Sequence, residues 1–292
     1  MTAVAHLAAL VELVRAPAAL TVPGDTVAGA AIAGRPLDPA SVGLAAASIC
    51  LYWGGMALND MADRDVDAVE RPHRPIPSGR VTPRTAFALA TGLTAAGIGI
   101  AGVAGGPPAL IVAVPLAATV WVYDLALKST PLGPAAMATA RALDVMLGAG
   151  PHQSRRCLPA ALVVAGHTYV VTELSRREVQ GSGKTLPKIT LGATTLVILA
   201  TSAVTRRRGT RRHQIAGLGL LGAYAGTFGA AQAAVVRDPG ARHVQQAVGA
   251  GILGLVPLQA AITACCGRLR AAGALALLFP VARALARRVS PT

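Results

Sequence analysis

Charge is in short supply in this sequence. Only 14% of its 292 residues are Asp, Glu, Lys or Arg, against about 25% in a soluble globular domain. A surface facing water must be covered with polar groups, and this supply is too small to cover a globule of that length. Aromatic residues are also scarce, at 3%, so the apolar mass consists of Ala, Leu, Val and 32 Gly. Small residues let helices approach closely in lipid, where no hydrophobic force acts between helices. Acids are the rarest charges, 13 against 27 Lys and Arg, for a net charge of +14. In a soluble chain that imbalance would point to nucleic acid. Here there is no zinc-finger spacing and no arginine-rich arm. The basic residues lie in short clusters between apolar runs, where anionic lipid headgroups would meet them. The partner these charges imply is membrane lipid and not nucleic acid. The four cysteines, Cys50, Cys157, Cys265 and Cys266, lack metal-ligand spacing. A basic leader with a clean cleavage site is also missing, so the first apolar stretch is expected to be retained.

What the chain does contain is a series of apolar runs, and its mean hydropathy is +0.54. Runs near 15–33, 41–58, 85–104, 108–124, 133–150, 158–174, 188–204, 213–235, 246–264 and 270–286 each approach the roughly 20 residues that cross a bilayer as helix. They are continuous and do not alternate, which favours helices over a barrel. The reading is an all-α, multi-span transmembrane bundle of nine or ten helices around a central cavity, with residues 1–292 forming a single domain. With the N-terminus cytoplasmic, the basic loops at 61–84, 125–132 and 175–188 share the cytoplasmic side. The Arg206–Arg212 cluster then falls on the outer side, against the positive-inside tendency.

The densest chemistry lies at 59–80, NDMADRDVDAVERPHRPIPSGR. Five of the 13 acids fall between positions 60 and 70. Asp60, Asp63 and Asp67 are three and four apart, so a helix places them on one face. Asp65 points away, and Asn59 can turn its amide toward the same cavity. Three carboxylates sharing a partly dry site must be neutralised. A hard divalent cation does this, and Mg²⁺ commonly bridges one or two carboxylates to substrate phosphates. The following Arg71, His73, Arg74 and Arg80 sit among Pro72, Pro75, Pro77 and Gly79, a stiff backbone that carries planar phosphate-binding forks. An acidic helix end followed by a rigid basic loop suits a metal–diphosphate site. The bland alternative is a solvated acidic loop balanced by neighbouring arginines.

On these residues the chain resembles the UbiA superfamily of intramembrane prenyltransferases. NDxxDxxxD is matched by Asn59, Asp60, Asp63 and Asp67, and RPHRPIPSGR resembles the family's adjoining loop. The Tyr123–Lys128 segment is similar to the family's Tyr…Lys segment, and Arg141 to a polar residue of the fifth helix. Ser175–Pro187 is similar to the second motif region. The likeness covers most of residues 10–205. It implies a bundle of nine spans holding Mg²⁺ and a prenyl diphosphate donor between two acidic motifs, with a hydrophobic or aromatic acceptor attacking the allylic carbon. The site residues implied are Asp60, Asp63, Asp67, Arg74 and Lys128 for catalysis, and Asn59, Arg71, Arg80, Arg141 and Lys184 for binding the donor. Asp60, Asp63, Asp67, Glu173 and Glu178 are implied for the metal.

The second motif departs from the family pattern. No Asp lies between Glu173 and Thr185; Glu173 and Glu178 are the carboxylates present, and Arg177 stands one helical turn after Glu173. This mixture resembles the EboC-like branch of the superfamily. It also keeps a second function open, a non-catalytic membrane protein that binds or carries a prenyl-diphosphate-like lipid. A solute transporter would need paired broken helices in two inverted halves, and no convincing pair exists. Elsewhere, Arg141 and Asp144 are spaced to pair with each other, His167 reads as a packed or hydrogen-bonded residue, and Asp25 and Asp38 read as solvated.

Overall fold

The structure, a computed structural model, describes residues 3–150 and 153–286. Both ends of the 1–292 range read from the sequence as one domain therefore lie outside the described residues. Every regular element is helical. A short α1 (Ala3–Leu13) runs through a 3₁₀ turn at Ala16–Thr21 into α2 (Pro23–Ala33). The chain continues as α3 (Pro39–Ala62), α4 (Arg64–Glu70), α5 (Pro83–Gly105), α6 (Pro107–Val122) and α7 (Gly133–Ala149). It ends with α8 (Ser154–Ser175), α9 (Thr185–Thr205), α10 (Arg211–Tyr224), α11 (Ala230–Arg237), α12 (Ala241–Cys265) and α13 (Leu269–Ala286). A π-helical turn at Tyr123–Leu127 extends α6, and another at Ala225–Gly229 joins α10 to α11.

The helix starts follow local chemistry. Asp38 accepts the Ser41 N–H at 2.9 Å ahead of Pro39, and Thr82 accepts the Thr85 N–H at 3.1 Å ahead of Pro83. In both, an N-capping oxygen satisfies an end donor and proline supplies a pre-set first turn. Asp38 is thus tied to its own helix start and is not simply solvated.

The chain is a multi-pass membrane protein, but its spans are fewer than the nine or ten read from the sequence. Among the described residues, α10 and α11 joined through their π turn leave twelve helices, of which seven are long and apolar enough to cross a membrane. The 15–33 run is broken. Arg15 takes a left-handed conformation (φ 47°) before the 3₁₀ turn, leaving an apolar helical stretch of only Ala19–Ala33. The α7 helix has 17 residues and contains Arg141 and Asp144. Two helices, α1 and α4, were not anticipated. The first is a short apolar run, and the second continues the acidic motif after a break.

The bundle packs in pairs: α3 lies along α5, α7 along α8 and α10 along α12, while α2 touches α3, α7, α8 and α12. One core joins α2, α7, α8, α10 and α12 through Ile32, Val145, Val164, Leu221, Leu258 and Ile262. A second, of Leu44, Leu51, Val112, Leu116 and Leu147, fills the space between α3, α6 and α7. A third lies at the end of the bundle where α3 stops, with Leu13 of α1 and Leu58 of α3 packed against Ile76 and Val81 of the proline-rich loop.

At the opposite end, arginines hold backbone carbonyls at and just beyond helix ends. Arg35 donates to Gly148 O, Arg208 to Ile32 O and Arg268 to Arg35 O. Cations at helix C-termini also complement the helix dipole.

The α2–α7 crossing is unusually close. A Cβ on Gly29 would lie 1.9 Å from Val145 O, and one on Gly148 would lie 2.0 Å from Thr26 O. Beside this crossing sits a buried polar cluster. Arg141 Nε meets Asp25 Oδ2 at 2.9 Å. Gln259 donates to Asp25 Oδ1 at 2.7 Å and to Thr21 O at 2.9 Å. Asp25 is fully buried, contrary to its expected solvation, and it takes the Arg141 guanidinium expected on Asp144. Asp144 is instead held by Ser48 Oγ at 2.6 Å. The α2–α7 contact brings Asp25 across to Arg141, a pairing invisible to spacing within one helix. Replacing Gly148 by Val should force α2 and α7 apart and cost about 1–3 kcal/mol. The check is the melting temperature of the detergent-solubilised protein, which should fall by several degrees.

Candidate active site

The site forms where α3 ends. The acidic motif does not stay on one continuous helix, because α3 stops at Ala62, Asp63 caps it, and α4 restarts at Arg64. The break separates the three aspartates. Asp60 and Asp67 are buried at 4% and 2% exposure, and both turn toward Arg74. The Arg74 guanidinium lies 2.7 Å from Asp67 Oδ2 and 3.5 Å from Asp60 Oδ1. Asp60 also receives Arg15 at 3.1 Å, and Arg71 lies 3.7 Å from Asp67. Asp63 turns the other way and pairs with Lys128 at 2.5 Å.

The loop that delivers Arg74 is compact. Ser78 N–H and Oγ both donate to Arg74 O, and Val81 N–H donates to Pro75 O at 2.9 Å. Three prolines limit its freedom. Arg80 latches the outside of this loop to α1, contacting both Glu12 oxygens at 2.6 and 3.0 Å and donating to His73 O at 2.6 Å. This two-pronged pairing favours the charged form and holds the Arg80 guanidinium above its usual pKa.

Above these residues a cavity of about 550 Å³ opens into the bundle. Of the residues singled out from sequence, Asn59, Asp63, Arg71, Arg74, Lys128, Arg141 and Glu178 line it. Asp60 and Asp67 stand behind Arg74. Arg80 faces Glu12, and Lys184 is exposed at the start of α9. Glu173 is half-buried and is not part of the lining. Glu178 Oε1 is buried without a hydrogen-bond partner. Burial pushes the Glu178 carboxyl up from its usual range, and nearby Arg71 partly offsets this.

Arg15 was not singled out from sequence, yet it lines the cavity and holds Asp60. A lone arginine at the start of an apolar run carries no signal for a partner 45 positions away. Tyr123 and Asp124 also line the polar end. The walls beyond are apolar, with Leu51, Leu116, Val120, Met137, Val248 and Ile252. His167 borders the cavity with both ring nitrogens occupied. Nε2 bonds Gly251 O at 3.1 Å, so it carries the proton, and Nδ1 accepts from Tyr224 OH at 2.8 Å.

A sequence model of the UbiA prenyltransferase family matches residues 25–236. The chain belongs to this family. Among UbiA relatives, the digeranylgeranylglyceryl phosphate synthase of Methanopyrus kandleri is 44% identical over 106 residues, covering 36% of this chain and 39% of that protein. That of Ignicoccus hospitalis is 39% identical over 132 residues, covering 45% and 43%. The chain thus spans less than half the length of these curated relatives. They point to the digeranylgeranylglyceryl phosphate synthase branch, and the EboC-like assignment is corrected accordingly. The altered second motif that suggested EboC is a short stretch, whereas these matches each run over 100 residues or more.

The UbiA fold is the same. A structure concerning digeranylgeranylglyceryl phosphate synthase in membranes superposes with a TM-score of 0.63 at 18% identity, covering 91% of this chain and 99% of that one. A UbiA homolog from Archaeoglobus fulgidus bound to DMAPP and Mg²⁺ gives 0.64 at 14% identity, covering 87% and 99%.

Arg74 is the keystone of the polar end. Arg74→Ala would leave Asp60 and Asp67 buried without their shared cation and should destabilise the fold by about 3–5 kcal/mol. Thermal unfolding in detergent measures this loss, and Arg74→Lys should recover part of it.

Proposed function

We propose that this protein is a Mg²⁺-dependent prenyltransferase. In this reading it transfers an isoprenyl group from a prenyl diphosphate to a lipophilic or aromatic acceptor and releases diphosphate. The observation that carries the reading is the two-ended cavity. Carboxylates and cations crowd the end where Asp63, Lys128, Arg71 and Arg74 meet, while apolar side chains enclose the rest. A diphosphate suits the first and an isoprenyl chain the second.

The residues fit Mg²⁺ bound together with its substrate. No group of three or more His, Cys, Asp or Glu gathers as a cage among the described residues. Mg²⁺ characteristically uses one or two carboxylates plus waters and substrate phosphates. Asp63 faces the cavity, and the orphaned Glu178 Oε1 offers a further oxygen. The bound metal would neutralise charge on the departing diphosphate.

The protein's own groups do the rest. The bond between C1 of the prenyl chain and the bridging oxygen breaks, and its electron pair leaves with diphosphate. Arg71, Arg74 and Lys128 are fixed cations beside that developing charge. Asp60 and Asp67 hold Arg74 in place, so they position it and do not face the substrate. The apolar walls keep water from the electron-poor allylic carbon while the acceptor forms the new bond to C1 and gives up a proton. The relatives named for digeranylgeranylglyceryl phosphate make a prenylated glyceryl phosphate lipid a sensible member of the acceptor panel.

The test uses detergent-purified protein, Mg²⁺, and geranyl, farnesyl or geranylgeranyl diphosphate with lipid and aromatic acceptors. Diphosphate release should stop with EDTA and return with excess Mg²⁺. Asp63→Ala should lower the rate by about 100-fold or more. Binding of the diphosphates with no release across the panel would favour the carrier reading, for which the altered Glu173–Thr185 stretch is the support.

A further inference from the structure

Every carboxylate of the first motif that reaches the polar end already has a cation. Asp60 has Arg15 and Arg74, Asp67 has Arg74 and Arg71, and Asp63 has Lys128. Asp124 does not. It is 3% exposed and lines the cavity, and its hydrogen-bond partner is the Asn59 amide, Nδ2 to Oδ1 at 2.9 Å. No ion pair reaches it among the described residues. A carboxylate so enclosed is costly unless a cation joins it.

The local backbone creates this situation. Asp124 and Lys128 are four apart, so a regular helix would set them side by side to pair. The segment Tyr123–Leu127 is instead a π turn, with Lys128 N–H bonded back to Tyr123 O at 2.9 Å. Lys128 therefore reaches across to Asp63. Single π turns inside α-helices concentrate at functional sites. Position 55 is glycine, and a Cβ there would meet Val120 at 2.7 Å and stand 3.7 Å from Asp124 Oδ2. Asn59 thus orients one carboxylate oxygen, while the other faces the close contact between Gly55 and Val120.

We propose that Asp124 is a second carboxylate of the divalent-cation site, acting with Asp63 at the polar end of the cavity. On the prenyltransferase reading, on which this rests, the π turn after α6 would supply an aspartate where the stretch after α8 brings only Glu178 to the cavity. Two carboxylates and the diphosphate oxygens would then hold the metal, so metal binding should depend on the diphosphate.

The experiment measures Mn²⁺ binding by electron paramagnetic resonance, using the full chain in detergent and the unreactive geranyl thiolodiphosphate. In the wild type, free Mn²⁺ signal should fall when the analogue is present. Asp124→Asn keeps the shape and an oxygen for Asn59 but removes the charge. It should weaken analogue-dependent Mn²⁺ binding on the order of 10- to 100-fold, while metal-free binding of the analogue stays within about twofold, and Asp124→Glu should recover part of the loss. Asp124→Thr serves if the Asn variant unfolds. Wild-type Mn²⁺ affinity in the charge-removed variant, with affinity lost in Asp63→Asn, would overturn the role of Asp124 and leave the prenyltransferase reading standing. No analogue-dependent Mn²⁺ binding in the wild type would overturn both.

Discussion

The arginine held between two buried aspartates governs the polar end of this molecule. Arg74 joins the last full turn of α3, through Asp60, to α4, through Asp67. Without it, two carboxylates would be enclosed with too little positive charge, and the break at Asp63 would have nothing to span it. The proline-rich loop exists around this contact, since its internal hydrogen bonds converge on Arg74 O and its apolar residues Ile76 and Val81 pack on α1 and α3. Arg15 reinforces the same point from the turn after α1. The outcome is a cavity whose charged end is assembled by the fold itself.

Much of this was legible in the sequence for definite reasons. Carboxylates crowded into a chain with few acids, followed by arginines among prolines, can be read without a structure because the residues are local to one another. The break at Asp63 was not legible. The spacing of Asp60, Asp63 and Asp67 fits an uninterrupted helix, and neither glycine nor proline marks the interruption. Arg15 and Asp25 were missed or misread because their partners, Asp60 and Arg141, are distant in the chain. Asp124 and Lys128 suggest a helical pair by spacing, and only the π turn sends Lys128 to Asp63 instead.

The number of spans failed for a related reason. Hydropathy counts apolar residues but does not see where a helix must stop. Arg15 in its left-handed conformation and the polar pair on α7 each shorten or interrupt a segment that composition alone would run across the bilayer. In both places the interruption delivers a charged side chain to the cavity, so the residues that spoil the hydropathy pattern are those that line the cavity.

The two ends of the bundle are fastened by different chemistry. At the end where α3 stops the ties are ion pairs: Arg74 to Asp60 and Asp67, Lys128 to Asp63, Arg80 to Glu12. At the other end Arg35, Arg208 and Arg268 hold backbone carbonyls. Dissolved ions screen attraction between full charges more than they weaken a hydrogen bond to a neutral carbonyl, and partly exposed pairs such as Arg80–Glu12 feel this most. Ionic strength therefore acts unevenly along the membrane normal. It loosens the latch between α1 and the proline-rich loop while the far ends of the helices stay clamped, so the molecule is stiff at its base and adjustable around the loop that carries Arg74.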